Sequence, residues 1–381
     1  MKSDYRHLYA DHLARLREQG LYRALQPRGQ VINFASNDYL SLSTDDALRQ
    51  ATQRITAAGS GASRLLLGNH EAHEACEQVE ATLAQYKGSE TALLVASGWQ
   101  TNVAVVASLL RRSLFVGKGD VAVFSDRLNH QSLHQGCQLA GVRQQRYRHL
   151  DMMHLESLLK KSRARYRYIL SETLFSMDGD TVDVAMLVAL ARRYGAFLYL
   201  DDAHAMAVMG QKGFGLAAHI EGVDMVMSSF GKGMGCFGAA VTCSQELKAY
   251  LVNSCGGFIY STALPPVLLA MMHASMKRVD ELDARREQLL AQAERARTLL
   301  RQEGYDCLQS SSQIIPIMVS DEKVESVSRG LLAAGFYVPS IRVPTVPRGG
   351  SRLRLSLTSA VDEASMESFV ATLKTVDPRK A

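Results

Sequence analysis

The sequence is sparing in the features that mark unusual proteins. Its 381 residues include one tryptophan, eight prolines and six cysteines. The cysteines, at 76, 137, 236, 243, 255 and 307, are widely scattered. None forms a Cys-x-x-Cys pair or sits with histidines at zinc spacing, which argues against a disulfide scaffold and predicts free thiols and no metal centre. An excess of one charge is also missing. The net charge is only +5, and the basic residues are dispersed rather than gathered on a face, so no nucleic-acid partner is expected. The small group Lys160, Lys161, Arg163, Arg165 and Arg167 reads as a helix end leading into a strand. The opening "MKSDYRHLYADHLARLREQG" lacks the apolar stretch of a signal peptide and reads as an amphipathic helix, which with the free thiols predicts a cytoplasmic protein. Residues 92–110 run uncharged for a membrane-spanning length. Ser97, Gly98, Gln100, Thr101 and Asn102 interrupt that run, so it predicts a buried strand, a polar turn and a buried helix, with no membrane association.

What is present describes a globular enzyme-sized chain. Hydrophobic residues make up 47% and charged residues 21%, and the length calls for more than one small core. Short apolar runs at 91–98, 121–126, 166–172, 196–202 and 223–229 predict strands. Between the third and fourth, residues 183–195 predict a helix with Asp183 as N-cap, arginines in the last turn and Gly195 as terminator. This repeated strand–helix order predicts an α/β fold with a mostly parallel central sheet covered by helices. After about residue 265 the pattern changes to one long helical stretch over 262–304, then strand-like stretches at 314–319 and 352–357, read as a smaller α+β C-terminal domain. The expected division is an N-terminal segment 1–44, a large domain 45–268 and a small domain 269–381. The N-terminal segment is expected to pack on the small domain or on the cleft.

Ligands in such sheets bind beyond the carboxyl ends of the strands. Residues at those ends include Ser97-Gly98-Trp99, Asp126 to His130, Glu172 to Ser176, Asp201 to His204 and Ser228 to Lys232. Lys232 stands out, because "SSFGKGMGCFGAA" sets it among glycines and apolar residues. A lysine attacks a carbonyl only when unprotonated, and desolvation lowers its pKa. Glycines let a flat ligand approach, and Ser228 and Ser229 can hydrogen-bond a phosphate. An amine, a phosphate site and a flat ring suggest pyridoxal phosphate, whose ring nitrogen needs an acid that Asp201 could supply. The "GKG" triplet lacks the spacing of a P-loop.

"SETLFSMDGD" (171–180), "LDDAH" (200–204), "SSFGKGMG" (228–235) and "IYSTALPP" (259–266) occur in an order and spacing that resemble the α-oxoamine synthases, fold-type I pyridoxal phosphate enzymes. "NFASNDYLSLS" (33–43) and "IRVPTVPRGGSRLRLSLT" (341–358) resemble most the branch that joins L-alanine to a pimeloyl thioester in biotin biosynthesis, with CoA or acyl carrier protein as the thiol. The resemblance runs from about residue 20 to 370. It implies a homodimer in which Lys232 holds pyridoxal phosphate and serves as base, Asp201 meets the ring nitrogen, and His204 and Ser176 meet the phenolic oxygen. It further implies that His130 stacks on the ring and that Ser229, the Gly98 and Trp99 amides and Thr262 of a second subunit hold the phosphate. Arg354 would bind the substrate carboxylate, Asn37 and Arg23 would line the cleft, and Glu172 would support the site. Arg352 and Arg354 share a strand face.

Two stretches depart from the family pattern. Ala205-Met206-Ala207 replaces small residues with glycines, and a histidine is missing from Ser359-Ala360-Val361-Asp362. Met206 is expected to reshape the acyl pocket. The alternatives are a sister α-oxoamine synthase using glycine or serine with another acyl-CoA, a same-fold aminotransferase, or a retired site kept as a scaffold.

Overall fold

The structure, a computed structural model, describes residues 5–25, 29–53, 55–68, 70–115 and 120–378. Its centre is a seven-stranded sheet of β1 (Thr91–Val95), β2 (Val121–Asp126), β3 (Gln144–Tyr147), β4 (Tyr166–Glu172), β5 (Ala196–Asp201), β6 (Met225–Ser229) and β7 (Ala239–Cys243). The spatial order is β1-β7-β6-β5-β4-β2-β3. Strand β7 runs antiparallel to both neighbours, and the other adjacent pairs are parallel. Five of the strands follow the apolar runs of the sequence. The other two had weaker signals: β3 is a polar edge strand, and β7 is built of small residues directly after the glycine turn.

Adjacent residues of the inner strands enter opposite cores, as the two-residue strand period requires. Phe124, Ile169, Leu198, Leu200 and Val226 pack on one face with the helix Val184–Tyr194. Val123, Leu170, Tyr199, Met225 and Met227 pack on the other with the helices Gly98–Leu109 and Gln131–Leu139. The uncharged run 92–110 thus divides into β1, a turn and the helix Gly98–Leu109. No helix of the described residues is long and apolar enough to cross a membrane. All six cysteines are free.

The helical stretch over 262–304 comprises two helices, Pro266–Asp280 and Asp283–Gln302. Arg286 explains the break. Its buried guanidinium donates to the Val279 carbonyl (2.5 Å) and also bonds Asp283, capping one helix while anchoring the start of the next. The C-terminal part holds the antiparallel strands β8 (Ile314–Met318), β9 (Ser340–Ile341) and β10 (Arg352–Ser356), with β10 in the middle. Residues Ile32–Asn33 pair in parallel with Phe336–Tyr337, and Phe34 packs on Phe336 and Phe369. This part of the N-terminal segment therefore sits against the C-terminal strands and helix. The amphipathic helix Tyr5–Glu18, by contrast, has no buried residue. The first four residues of that expected helix lie outside the described residues.

Two buried charge groups brace the sheet end. Lys87 Nζ lies 2.6 Å from Asp202 Oδ2, both side chains being essentially inaccessible. Lys87 also donates to the Phe214 carbonyl (2.7 Å), and Asp202 Oδ1 accepts from Thr173 Oγ1 (2.5 Å) and the Leu216 amide (3.1 Å). On the neighbouring edge, His149 donates from both ring nitrogens, to Asp126 and Asp180, at 3.0 Å each. Burial works against its charge, but the two hydrogen bonds and the two negative charges outweigh it and raise the imidazole to about 9.

Replacing Lys87 by Met should strand the Asp202 charge in the core and destabilise the fold by about 3–5 kcal/mol, read from urea unfolding. The His149 contribution is present in full below the unfolded histidine value of about 6.5 and is lost as pH rises through about 9. Melting temperature should therefore fall across that window in the native protein, and His149→Asn should remove that part of the pH dependence.

Candidate active site

The carboxyl ends of β2, β4, β5 and β6 open on a cleft of about 170 Å3 lined by Gly98, Trp99, Asn102, His130, Glu172, Asp201, Ala203, His204, Met227, Ser229, Gly231 and Lys232. Strand register places the acids: Glu172 ends β4 directly opposite Asp201 at the end of β5. Lys232 follows β6 in a turn closed by its own hydrogen bonds, Gly235 N to Lys232 O (2.8 Å) and Cys236 N to Phe230 O (2.9 Å). Gly233 is needed there because a Cβ would stand 2.8 Å from the Met206 carbonyl and 2.9 Å from the Ala207 side chain. Burial lowers the Lys232 amine to about 8, with Asp201 and Glu172 opposing and Arg354 assisting. Burial, reinforced by the Asp201 charge, raises Glu172 well above the usual carboxylate range.

Asp201 is held from two sides. Its Oδ1 accepts from the Ala203 amide (3.0 Å) and its Oδ2 from Asn102 Nδ2 (2.7 Å). Asn102 Nδ2 also reaches Ser132 Oγ (2.9 Å), and Tyr199 donates to Asn102 Oδ1 (2.8 Å). Ser132 Oγ in turn lies 2.7 Å from His130 Nδ1. The His130 amide donates to Glu172 Oε1 (2.5 Å), so the histidine is fixed at both its backbone and its ring while remaining exposed in the cleft. Partial burial disfavours the charged imidazole, Asp201 opposing and Lys232 assisting. Asn102 belongs to the polar interruption of the 92–110 run, which marked a turn but gave no sign of this contact.

His204 is buried and its pKa lies well below the usual histidine value, through burial first and then the charges of Lys232, Arg354 and His130. Its Nδ1 is 2.6 Å from the Tyr39 hydroxyl, a partner that no sequence signal identified. Ser229 Oγ accepts from the Gly231 amide (3.2 Å) and faces the cleft beside the start of the helix Gly98–Leu109, whose first amides point outward from the N-cap Ser97. A helix start and a hydroxyl suit a phosphate. Ser228 does not join them. It points to the other face of β6, buried, with its hydroxyl unpartnered.

Arg354 lies just outside the lining, buried on β10. It donates to the Ser176 carbonyl (2.5 Å), Ser356 Oγ (2.6 Å) and Asn37 Oδ1 (3.2 Å from each terminal nitrogen). This gathers Asn37, Ser176 and Arg354 into one group. Arg352 lies on the same strand face, paired with Asp178 and donating to the Gly350 carbonyl (2.9 Å). Two expected residues are elsewhere. Arg23 is exposed and bonds Thr345 Oγ1 (3.4 Å). Thr262 is exposed and bridges to Ser63, outside this chain's own cleft.

The departing stretch 205–207 keeps the backbone that glycine would favour. Ala207 has φ +74°, held by a hydrogen bond from its amide to the Gly213 carbonyl (2.6 Å). Met206 is fully buried in the core and does not line the cleft, and its backbone bridges to Phe214. In the other departing stretch, Asp362 caps the helix Glu363–Val376 and Ser359 Oγ meets Ser41 Oγ (3.2 Å).

The fitting donor set for pyridoxal phosphate is thus present: an amine of lowered pKa, an acid held for a ring nitrogen, and a phosphate-sized helix start. Known proteins agree. Residues 29–373 match the family described as aminotransferase class I and II. The 8-amino-7-oxononanoate synthase of Gluconacetobacter diazotrophicus is 47% identical, over 90% of this chain and 87% of that one. That of Geobacter sulfurreducens is 42% identical over 96% of both. Among solved structures, the serine palmitoyltransferase of Sphingomonas wittichii superposes with a TM-score of 0.85 at 26% identity, over 98% of this chain and 97% of that one. The chain belongs to the aminotransferase class I and II family, among its α-oxoamine synthases.

Proposed function

We propose that this protein condenses L-alanine with a pimeloyl thioester, releasing CO2 and the free thiol carrier and forming 8-amino-7-oxononanoate, a step of biotin biosynthesis. The observation that carries the reading is the desolvated Lys232 amine set beside Asp201, within a chain 42–50% identical along nearly its whole length to proteins of that name. Pyridoxal phosphate, when bound, supplies a carbonyl for covalent capture of an amine and an electron sink for a carbanion at Cα.

The side chains divide the remaining work. Lys232 would anchor the cofactor and serve as the base for the Cα proton. Asp201, held by Asn102 and the Ala203 amide, would keep a proton on the ring nitrogen. His130 would cover the ring, and His204 with Ser176 would meet the phenolic oxygen. Ser229 and the Gly98 and Trp99 amides would hold the phosphate. Thr262, exposed here, would complete that site from a second copy of the chain. Arg354 offers its guanidinium to the substrate carboxylate, with Asn37 beside it. The placement of Arg23 on the surface supports no role for it within the cleft of this chain.

The test is the purified holoenzyme with L-alanine and pimeloyl-CoA or pimeloyl acyl carrier protein, following thiol and CO2. Equal release of both, dependent on alanine, is the expected outcome. A clear preference for glycine or serine would move the protein to a sister activity, and amino transfer without CO2 would overturn the reading. Lys232→Ala should lower turnover by roughly 10²–10⁴-fold. The rate at which cofactor-free protein captures pyridoxal phosphate should fall about tenfold per unit below pH 8 and level off above it, as the amine of Lys232 becomes protonated.

A further inference from the structure

We propose that Tyr39 is a positioning residue whose hydroxyl donates to Nδ1 of His204, fixing the tautomer that carries its proton on Nε2, the nitrogen left for the cleft. The inference rests on the reading of His204 as a donor to the cofactor's phenolic oxygen. A neutral imidazole has one N–H, and only the Nε2–H form can make that donation while Nδ1 is engaged elsewhere. His204 is neutral because burial, Lys232, Arg354 and His130 all oppose its charge.

Two proton arrangements fit the atoms around the phenol. In one, Tyr39 donates to His204. In the other, His204 donates from Nδ1 to the phenol, which passes its own proton to Asn37. The neighbouring acceptor decides between them. Tyr39 Oη lies 2.6 Å from His204 Nδ1, a hydrogen bond whose length does not itself say which partner donates. Oη lies 3.2 Å from Asn37 Oδ1, long for a hydroxyl bond. Asn37 Oδ1 already accepts from both terminal nitrogens of Arg354, so it does not call for the phenol's proton. Tyr39 is fully buried, and burial keeps the phenol protonated although the Arg354 charge and side-chain hydrogen bonds with Arg354 and Gln313 oppose it. The hydrogen bond therefore joins the N-terminal segment to the turn after β5 at the one atom that sets which way His204 is protonated.

The test is the visible absorbance of the cofactor-loaded protein titrated with pH. A donor on the phenolic oxygen spreads its negative charge, and losing that donor favours retention of the neighbouring proton. Tyr39→Phe keeps the buried ring and removes the hydroxyl. It should raise the midpoint by about half a unit or more, and His204→Ala should also raise it. If His204→Ala moves the midpoint and Tyr39→Phe does not, the tautomer proposal is overturned while the placement of His204 stands. If neither moves it, the placement of His204 fails and the proposal with it. Movement in Tyr39→Phe alone would show that Tyr39 acts through another group, which also overturns it. Nitrogen-15 spectra of labelled histidine in the native holoenzyme give a reading independent of any variant. They should show His204 protonated at Nε2 and bare at Nδ1, and the reverse pattern would refute the proposal.

Discussion

The ion pair between Lys87 and Asp202 underlies the catalytic end of the sheet. Successive residues of "LDDAH" go to different places: Asp201 reaches the cleft, and Asp202 turns inward to a lysine with no access to water. A buried pair of this kind adds little net stability compared with apolar residues of the same shape. Its value here is geometric. Asp202 ties together the helix that ends at Lys87, Thr173 at the end of β4 and the loop at Phe214 to Ala217. Those ties set where the chain turns after β5, and so where Asp201 and His204 stand.

Above that brace the electrostatics of the cleft are deliberately unbalanced. The Lys232 amine and the Glu172 carboxyl are both pushed toward their neutral forms by burial. Asp201 is instead held by hydrogen bonds from the Ala203 amide and Asn102. Strand register brings Glu172 and Asp201 side by side, and the turn after β6 adds Lys232.

Much of this was legible in the sequence because strand ends converge and local patterns report them. Apolar runs gave five strands, and the glycine setting of Lys232 gave the amine. Long-range polar partners were not legible. Asn102 and Tyr39 lie 99 and 165 residues from Asp201 and His204, and nothing in their own neighbourhoods announces those contacts. The departing stretch 205–207 shows how local structure absorbs a substitution. Alanine at 207 is held at positive φ, with its amide bonded to the Gly213 carbonyl, at a cost of about 1–2 kcal/mol. Met206 beside it lies in the core, its backbone bridged to Phe214.

The turn that carries Lys232 joins two strands that are neighbours in the sheet. β6 and β7 form an antiparallel pair with Ser229 opposite Ala239, and Phe230 N bonds the Gly238 carbonyl (2.9 Å) across the turn. Most other loops at this end lead into helices, where an added residue can be absorbed. Here an added or lost residue would shift the register of β7 against both β6 and β1, exchanging the faces that its side chains present. Natural variation in this turn should therefore be free in chemistry away from the lysine and glycines but fixed in length, a constraint imposed by the sheet rather than by the reaction.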